Sequence, residues 1–510
     1  MVGERFIDSC VKILLTRKQR VSSILLMKKQ KENEYVKSID KIPTNIMIAA
    51  WAIALGAITP MLDATMINIA IKDLTQDFHT TLSIIQWGVT GYLLALAIAV
   101  PISGWLMNQF NSKRVFISAV VGFGITSLAT GLSWNIVTFI SFRLLQGFSA
   151  GVITTLMSTM LVLIAGQKYI GRVIAIVSTP MILGPILGPV LGGLIIHFAT
   201  WQWIFFINIF VTIIAVPIMI KKLPDFNPVN KEKKLDYIGV INLALISVTL
   251  LYGLVQASKF GSFNNPVTYI NMTIGVICII VYIIYNRMKQ YNTVLPTNLF
   301  KSRNFFACSL GLFLANVAIL GPMIILPLFF QRFQHFNAIE TTIMLMPQGL
   351  GMLITRPLIG KIIDKYGGRN IVLISTMVVL ITSVSFMFIS GHTQSVWIGL
   401  ILFIRGCAVG GVMLPLTSSA YYGLEREQLS EAGVGINIIE NIGSSFGSAL
   451  IATVVATVIH SMSVNIPNEL TAYHAGFSVA VIALVVLLLP AWFIHQKIIN
   501  HSLQKNLCHK

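Results

Sequence analysis

Ser178-Thr-Pro-Met-Ile-Leu-Gly-Pro-Ile-Leu-Gly-Pro-Val-Leu-Gly-Gly193 is the stretch whose reading decides the fold. It lies inside an apolar run much longer than a soluble core helix needs. Gly184, Gly188 and Gly192 recur every fourth residue, so on a helix they share one face and admit a neighbouring backbone. Pro185 and Pro189 follow two of them and would end a helix in water. In a membrane, neighbouring helices and local adjustments re-satisfy the freed carbonyls. Close packing alone accounts for the glycines. Glycines and prolines in one register go further, to a bent, tightly packed helix in a transporter.

The composition around this stretch agrees. Of 510 residues, 55% are hydrophobic and only 11% charged, with a mean hydropathy of +0.80, values that belong to a polytopic membrane protein. Apolar runs of roughly 20 residues, the length a ~30 Å hydrocarbon core requires, lie near 46–71, 83–107, 114–133, 136–163, 172–196, 201–220, 236–256, 267–286, 305–330, 341–363, 370–390, 396–418, 433–458 and 475–495. They predict an all-α protein with fourteen transmembrane helices. Thirty of the 36 Lys and Arg then fall on one side, both termini included, and only Lys72, Lys259 and Arg332 on the other. By the positive-inside rule both termini are cytoplasmic and the protein is a multi-pass protein of the cell membrane. The net charge of +18 is therefore topology, and nucleic acid is not an expected partner. Cys10, Cys278, Cys308, Cys407 and Cys508 are scattered without CxxC or metal spacing, so neither disulfide, metal nor cofactor is expected. The histidines sit mainly at loops and ends, and no nucleophile–base pair lies within a span; the chain does not read as an enzyme.

The expected organisation is a basic tail (1–45), a six-helix half (46–220), a charged loop (221–235), two inserted helices (236–286), a second six-helix half (305–496) and a short tail (497–510). Ile13 to Met27 suits a basic amphipathic helix on the membrane surface; a true start nearer Met27 or Met47 reads equally well.

Polar residues inside spans mark the candidate site. Asp63, in Met61-Leu-Asp-Ala-Thr-Met-Ile-Asn-Ile-Ala70, is a carboxylate in an apolar helix, where function is the default and a structural acid satisfied by neighbours the alternative. Arg143 leads a face shared with Gly147 and Gly151, and a guanidinium that keeps its proton needs a partner. At ~1.5 Å per residue both lie roughly 11–12 Å below the outer surface, so an Asp63–Arg143 contact is allowed by depth. Glu440 borders a polar stripe of Asn437, Asn441, Ser444 and Ser448. Arg356 has no evident partner and is expected to snorkel. Trp201 and Trp203 read as an interfacial anchor, and Asn208 as a helix-to-helix hydrogen bond.

The second half repeats the first. Gly360-Lys-Ile-Ile-Asp-Lys-Tyr-Gly-Gly-Arg369 echoes Gly104-Trp-Leu-Met-Asn-Gln-Phe-Asn-Ser-Lys-Arg114, and Arg405-Gly-Cys-Ala-Val-Gly-Gly-Val412 echoes the Arg143 stretch. Internal duplication is expected of transporters whose halves rock about a central site. Gly104, Arg114, Gly360, Asp364 and Arg369 are the candidate gate residues. Asp63, Arg143, Arg405 and Glu440 are the candidates for proton or substrate contact.

These residues resemble the fourteen-helix drug:proton antiporters of the major facilitator superfamily, the EmrB/QacA-like multidrug exporters. The matching pieces are Leu62 to Ala70, Arg143 to Gly151, Gly184 to Gly193, Trp203 to Asn208, Leu299 to Phe305 and Met413 to Thr417. The resemblance implies a major facilitator fold and a monomer that exchanges protons for amphipathic, often cationic compounds by alternating access. A narrow-substrate metabolite or sugar exporter on the same fold is the alternative. It also implies that Asp63 and Arg143 take part in proton coupling, and that Gly184, Pro185, Gly188, Pro189, Gly192 and Gly193 form the antiporter motif that seals the pathway and bends between states. Two positions depart from the pattern: Asn108 replaces the usual acid of the first gate loop, and Asn111 a glycine. Asp364 keeps the acid in the second copy, while Glu440 stands where relatives often carry a basic or amide residue.

Overall fold

The computed structural model describes residues 42–226, 228, 236–390, 393–425, 428–461 and 466–494. The readings of Ile13–Met27, of most of the 227–235 loop and of the 497–510 tail fall outside the described residues. Within them the chain is all helical, with fourteen α-helices and no strand. These are α1 (Thr44–Asp77), α2 (Leu82–Gln109), α3 (Ser112–Gly131), α4 (Ile136–Phe198), α5 (Trp203–Lys222), α6 (Tyr237–Phe260) and α7 (Pro266–Met288), then α8 (Arg303–Leu320), α9 (Pro322–Phe333), α10 (Ala338–Tyr366), α11 (Arg369–Ser385), α12 (Ser395–Ala420), α13 (Gln428–Ser461) and α14 (Ile466–Ala491).

Among the described residues, twelve helical stretches are long and apolar enough to cross a membrane, with α8 and α9 together forming one of them. The other two expected spans coincide with the second limb of α4 and with α10, whose sequence carries Glu340, Arg356, Lys361, Asp364 and Lys365. α4 is 63 residues long because two spans run together through Gly166, which bends the chain at φ 56°, ψ 178°. An L side chain rarely adopts that left-handed φ, so glycine is the residue that permits the break.

Starts are set by side-chain caps that satisfy the first amides. Asn111 accepts from the Lys113 and Arg114 amides, Ser302 from Phe305, and Asp236 from Gly239. Asn135 with Thr138 and Asn337 with Glu340 complete capping boxes. Asp236 and Glu340 are thus helix-end groups, as their span-end positions suggest.

Lipid is as apolar as leucine, so helices associate in a membrane through close packing and polar contacts. α2 lies along the first limb of α4, where Gly147 and Gly151 bring its backbone against the carbonyls of Tyr92 and Leu96. α10 lies along α12 in the same manner, through Gly351 against Phe403 and Cys407 and Gly406 against Gln348. α6 pairs with α7 and rests on α13 and α2. α7 keeps a row of large apolar side chains exposed, among them Ile270, Ile277 and Ile284, as a lipid-facing helix does. Two aromatic clusters fill the interior: Phe139, Trp201 and Phe205 in one, Phe329, Phe330, Phe386 and Phe477 in the other. Trp201 is buried there, its Nε1 donating to Asp77 Oδ2 at 2.6 Å, so of the expected anchor pair only Trp203 is exposed.

Candidate functional site

Asp63 is fully buried, and Arg143 Nη1 meets its Oδ2 at 2.5 Å. The other carboxylate oxygen accepts from Gln146 Nε2 (3.1 Å) and Asn208 Nδ2 (3.3 Å). Both amides also donate to Ser127 Oγ, at 3.0 and 2.9 Å, and Ser127 donates to the Phe205 carbonyl. Arg143 further donates through Nε to the Gly88 carbonyl and through Nη1 to Gln146 Oε1. Five helices, α1 to α5, therefore meet at one carboxylate. Such a pair survives burial when further hydrogen bonds support it; here both carboxylate oxygens and Arg143 Nε and Nη1 are bonded, while Arg143 Nη2 has no hydrogen-bond partner among the described residues. Asn208 is a helix-to-helix donor, as expected, and its acceptor is the candidate acid itself.

Tyr92 stacks on the guanidinium, with Arg143 Cζ 4.3 Å from the ring centroid, and is also among the residues lining a cavity of about 350 Å³. The cavity lies among α1, α2, α4, α10, α12 and α13, and its walls include Met61, Tyr92, Met157, Arg356, Tyr421 and Glu440. Thr417 Oγ1 donates to Glu440 Oε1 at 3.4 Å. Asn437 Nδ2 reaches Ser158 Oγ at 3.3 Å, joining α13 to α4 across the space. The polar stripe of α13 divides: Asn437 and Asn441 face this cavity, while Ser444 and Ser448 face a second one of about 480 Å³ beside Asn68, Gln86 and Lys259.

The glycine–proline segment packs on α1 next to the acid. Gly184 abuts Met61, Gly188 abuts Thr65 and Gly192 abuts Met66, and Thr65 Oγ1 donates to the Gly184 carbonyl at 3.2 Å. A methyl group at Gly188 would collide with Thr65, which explains the small residue there. Gly193 has open space around it, and Pro185 and Pro189 lie within the helix.

At the end of the bundle bearing the α2–α3 and α10–α11 turns, the two gate copies differ. Asp364 accepts from Arg172 Nε at 2.6 Å and from the Gly171 amide at 2.9 Å, and Gly360 sits against the backbone of Gly171. In the first copy Asn108 accepts from Ser430 Oγ at 3.2 Å and Gly104 sits against Val434. Asn111 caps α3 and also donates to Asp225 at 3.3 Å. The Arg114 side chain is exposed, and Arg369 stacks on Trp492 at 4.1 Å.

The sequence and the fold have counterparts among known proteins. The sequence pattern of the Major Facilitator Superfamily matches residues 53–448. The chain belongs to that superfamily. It is thus a multi-pass membrane protein of a transporter superfamily. The multidrug resistance protein B homolog of Mycobacterium tuberculosis is 28% identical over 415 residues, covering 81% of this chain and 76% of that protein. The multidrug export protein EmrB of Haemophilus influenzae is 29% identical over 409 residues, 79% of each chain. The solved structure of the proton:xylose symporter XylE superposes with a TM-score of 0.62 over 89% of this chain and 96% of that one; at 14% identity the likeness concerns the fold alone.

Within this superfamily fold the second buried arginine, Arg405, has different company from the first. It is 1% exposed, donates through Nη2 to the Ala318 carbonyl at 3.1 Å and lies 5.6 Å from the Phe386 ring. Among the described residues, Nε and Nη1 have no hydrogen-bond partner and no carboxylate pairs with it. Sequence reading missed Gln146 and Ser127. Gln146, three residues after Arg143 on the same helical face, carried a usable signal as a polar group inside a span; Ser127 carried none.

Proposed function

We propose that this chain is a proton-driven exporter of amphipathic compounds, cations among them, working by alternating access in the cell membrane as a monomer with both termini cytoplasmic. The two six-helix halves, 46–220 and 305–496, rock about the cavity, with 236–286 as an inserted pair. The observation that carries this reading is the buried Asp63 carboxylate, held by Arg143, on whose guanidinium the cavity-lining Tyr92 stacks. Protonation of Asp63 cancels the charge that Arg143 neutralises, leaving the guanidinium its bonds to Gly88 and Gln146. α1 is then free to shift against the glycine face of α4, and through Met61 and Tyr92 the cavity wall moves with it. For inward opening the Asp364–Arg172 and Asn108–Ser430 contacts must part, and deprotonation of Asp63 towards the cytoplasm resets the pair. The drug-export names of the relatives support the direction of transport.

The test is ethidium efflux from cells expressing the protein, with and without a protonophore, beside Asp63→Asn. Efflux abolished by either treatment is the expected result. Intact efflux in Asp63→Asn removes that residue as the coupling acid and shifts the role to Glu440. Immobile ethidium with well-folded protein overturns the broad-range reading.

A further inference from the structure

The central cavity is not simply an anionic trap for cations. Its walls carry two ionisable side chains of opposite charge type, Glu440 from α13 and Arg356 from α10. Asp63 does not line it, and its charge is already met by Arg143. Arg356 is 8% exposed, and Gly410 of α12 lies close against its Cγ, so its stem is packed. Thr417 holds Glu440 on the facing wall. The walls around the two charges are apolar and adaptable, with Met61, Met157 and Met413 among them.

Charge arithmetic limits what such a space accepts. A ligand that is only a cation satisfies Glu440 but brings a like charge into the same low-dielectric enclosure as Arg356. It also brings no group of its own for the Arg356 guanidinium to bond, and adding charge to a buried site without a matching counter-group is costly. A ligand with its own carboxylate avoids both penalties, because arginine presents a planar fork of donors matched to a carboxylate. We propose that the preferred cargo of this cavity is an amphipathic zwitterion, its cationic nitrogen on Glu440 and its carboxylate on Arg356, with the apolar body against the methionines. A cavity of about 350 Å³ is within the usual range for drug-sized ligands. This inference rests on the exporter reading above and narrows its substrate class.

The test uses an aminoxanthene dye in two forms, the free acid with one cationic and one carboxylate group, and its methyl ester with the cation alone. Uptake of each is followed in energised everted membrane vesicles, with and without a protonophore. The wild type is expected to move the free acid about tenfold faster than the ester, the worth of one charge-assisted contact. Arg356→Gln is expected to reduce that ratio about tenfold, while Arg356→Lys, which keeps the charge, retains most of it. Anisotropy of the free-acid dye on detergent-solubilised protein gives a binding readout independent of transport, and should show the same order. Equal, protonophore-sensitive transport of both forms overturns the zwitterion proposal and leaves the exporter reading standing. So does a ratio unchanged by Arg356→Gln. Protonophore-sensitive movement of neither dye by folded protein overturns both.

Discussion

The two buried arginines occupy echoing sequence stretches and have opposite surroundings. Arg143 faces a carboxylate that two amides and a serine hold in turn, and a tyrosine ring covers its face. Arg405 has one carbonyl and a phenylalanine ring. At the α2–α3 and α10–α11 end the asymmetry reverses, with a charged Asp364–Arg172 contact in the second copy and a neutral Asn108–Ser430 contact in the first. The two echoing stretches share a glycine frame, since close helix approach is required beside each arginine, and differ in charge: a buried carboxylate stands against the first arginine, and the charged turn contact belongs to the second copy.

The largest effect should come from separating Arg143 from its acid. Arg143→Leu leaves Asp63 buried without its counter-charge and should lower stability by about 3–5 kcal/mol, measured as thermal unfolding in detergent. The double change Asp63→Leu/Arg143→Leu should recover most of that loss while remaining inactive in ethidium efflux. Next comes the latch. Asp364→Asn replaces a charge-assisted contact with a neutral one, weakening that closure by about 1.5–3 kcal/mol. A thiol placed at Ser158, on the cavity wall, should then label faster from the cytoplasmic face, whereas Asn108→Ala should change labelling less. The smallest effect is expected at Arg405. Arg405→Leu removes a cation that no described carboxylate neutralises, so stability should stay within about 1 kcal/mol of wild type. A loss matching that of Arg143→Leu would erase the distinction between the two arginines.

Most of the fold was legible because the bilayer imposes a length on every span, and an apolar run of that length is visible without knowing its neighbours. The depth of Asp63 and Arg143 was readable for the same reason, since rise per residue along a helix is fixed. Which faces turn towards each other was not. Ser127 looks like any serine in α3 until α5 brings Asn208 beside it, and Arg356 looks like a snorkelling base until α13 sets Glu440 across from it. Trp201 carries the residue type of an interfacial anchor, but Phe139 and Phe205 enclose it. The run-on of two spans through Gly166 was hidden too, because a glycine flanked by Ala165 and Gln167 gives no sign of its φ. Sequence gives depth along each helix; rotation about its axis is settled by all the others.

Tyr92 both lines the cavity and stacks on the buried Arg143 guanidinium. Elsewhere the cavity lining consists of side chains such as Leu96, Met157 and Leu161 that touch neither Asp63 nor Arg143 through any polar contact. On the exporter reading proposed above, those positions could drift under selection by a new toxin, enlarging or reshaping the space while the buried charge pair is inherited intact. Such a division would make the protein evolvable: a lineage could change what it expels by single steps, each leaving a working pump.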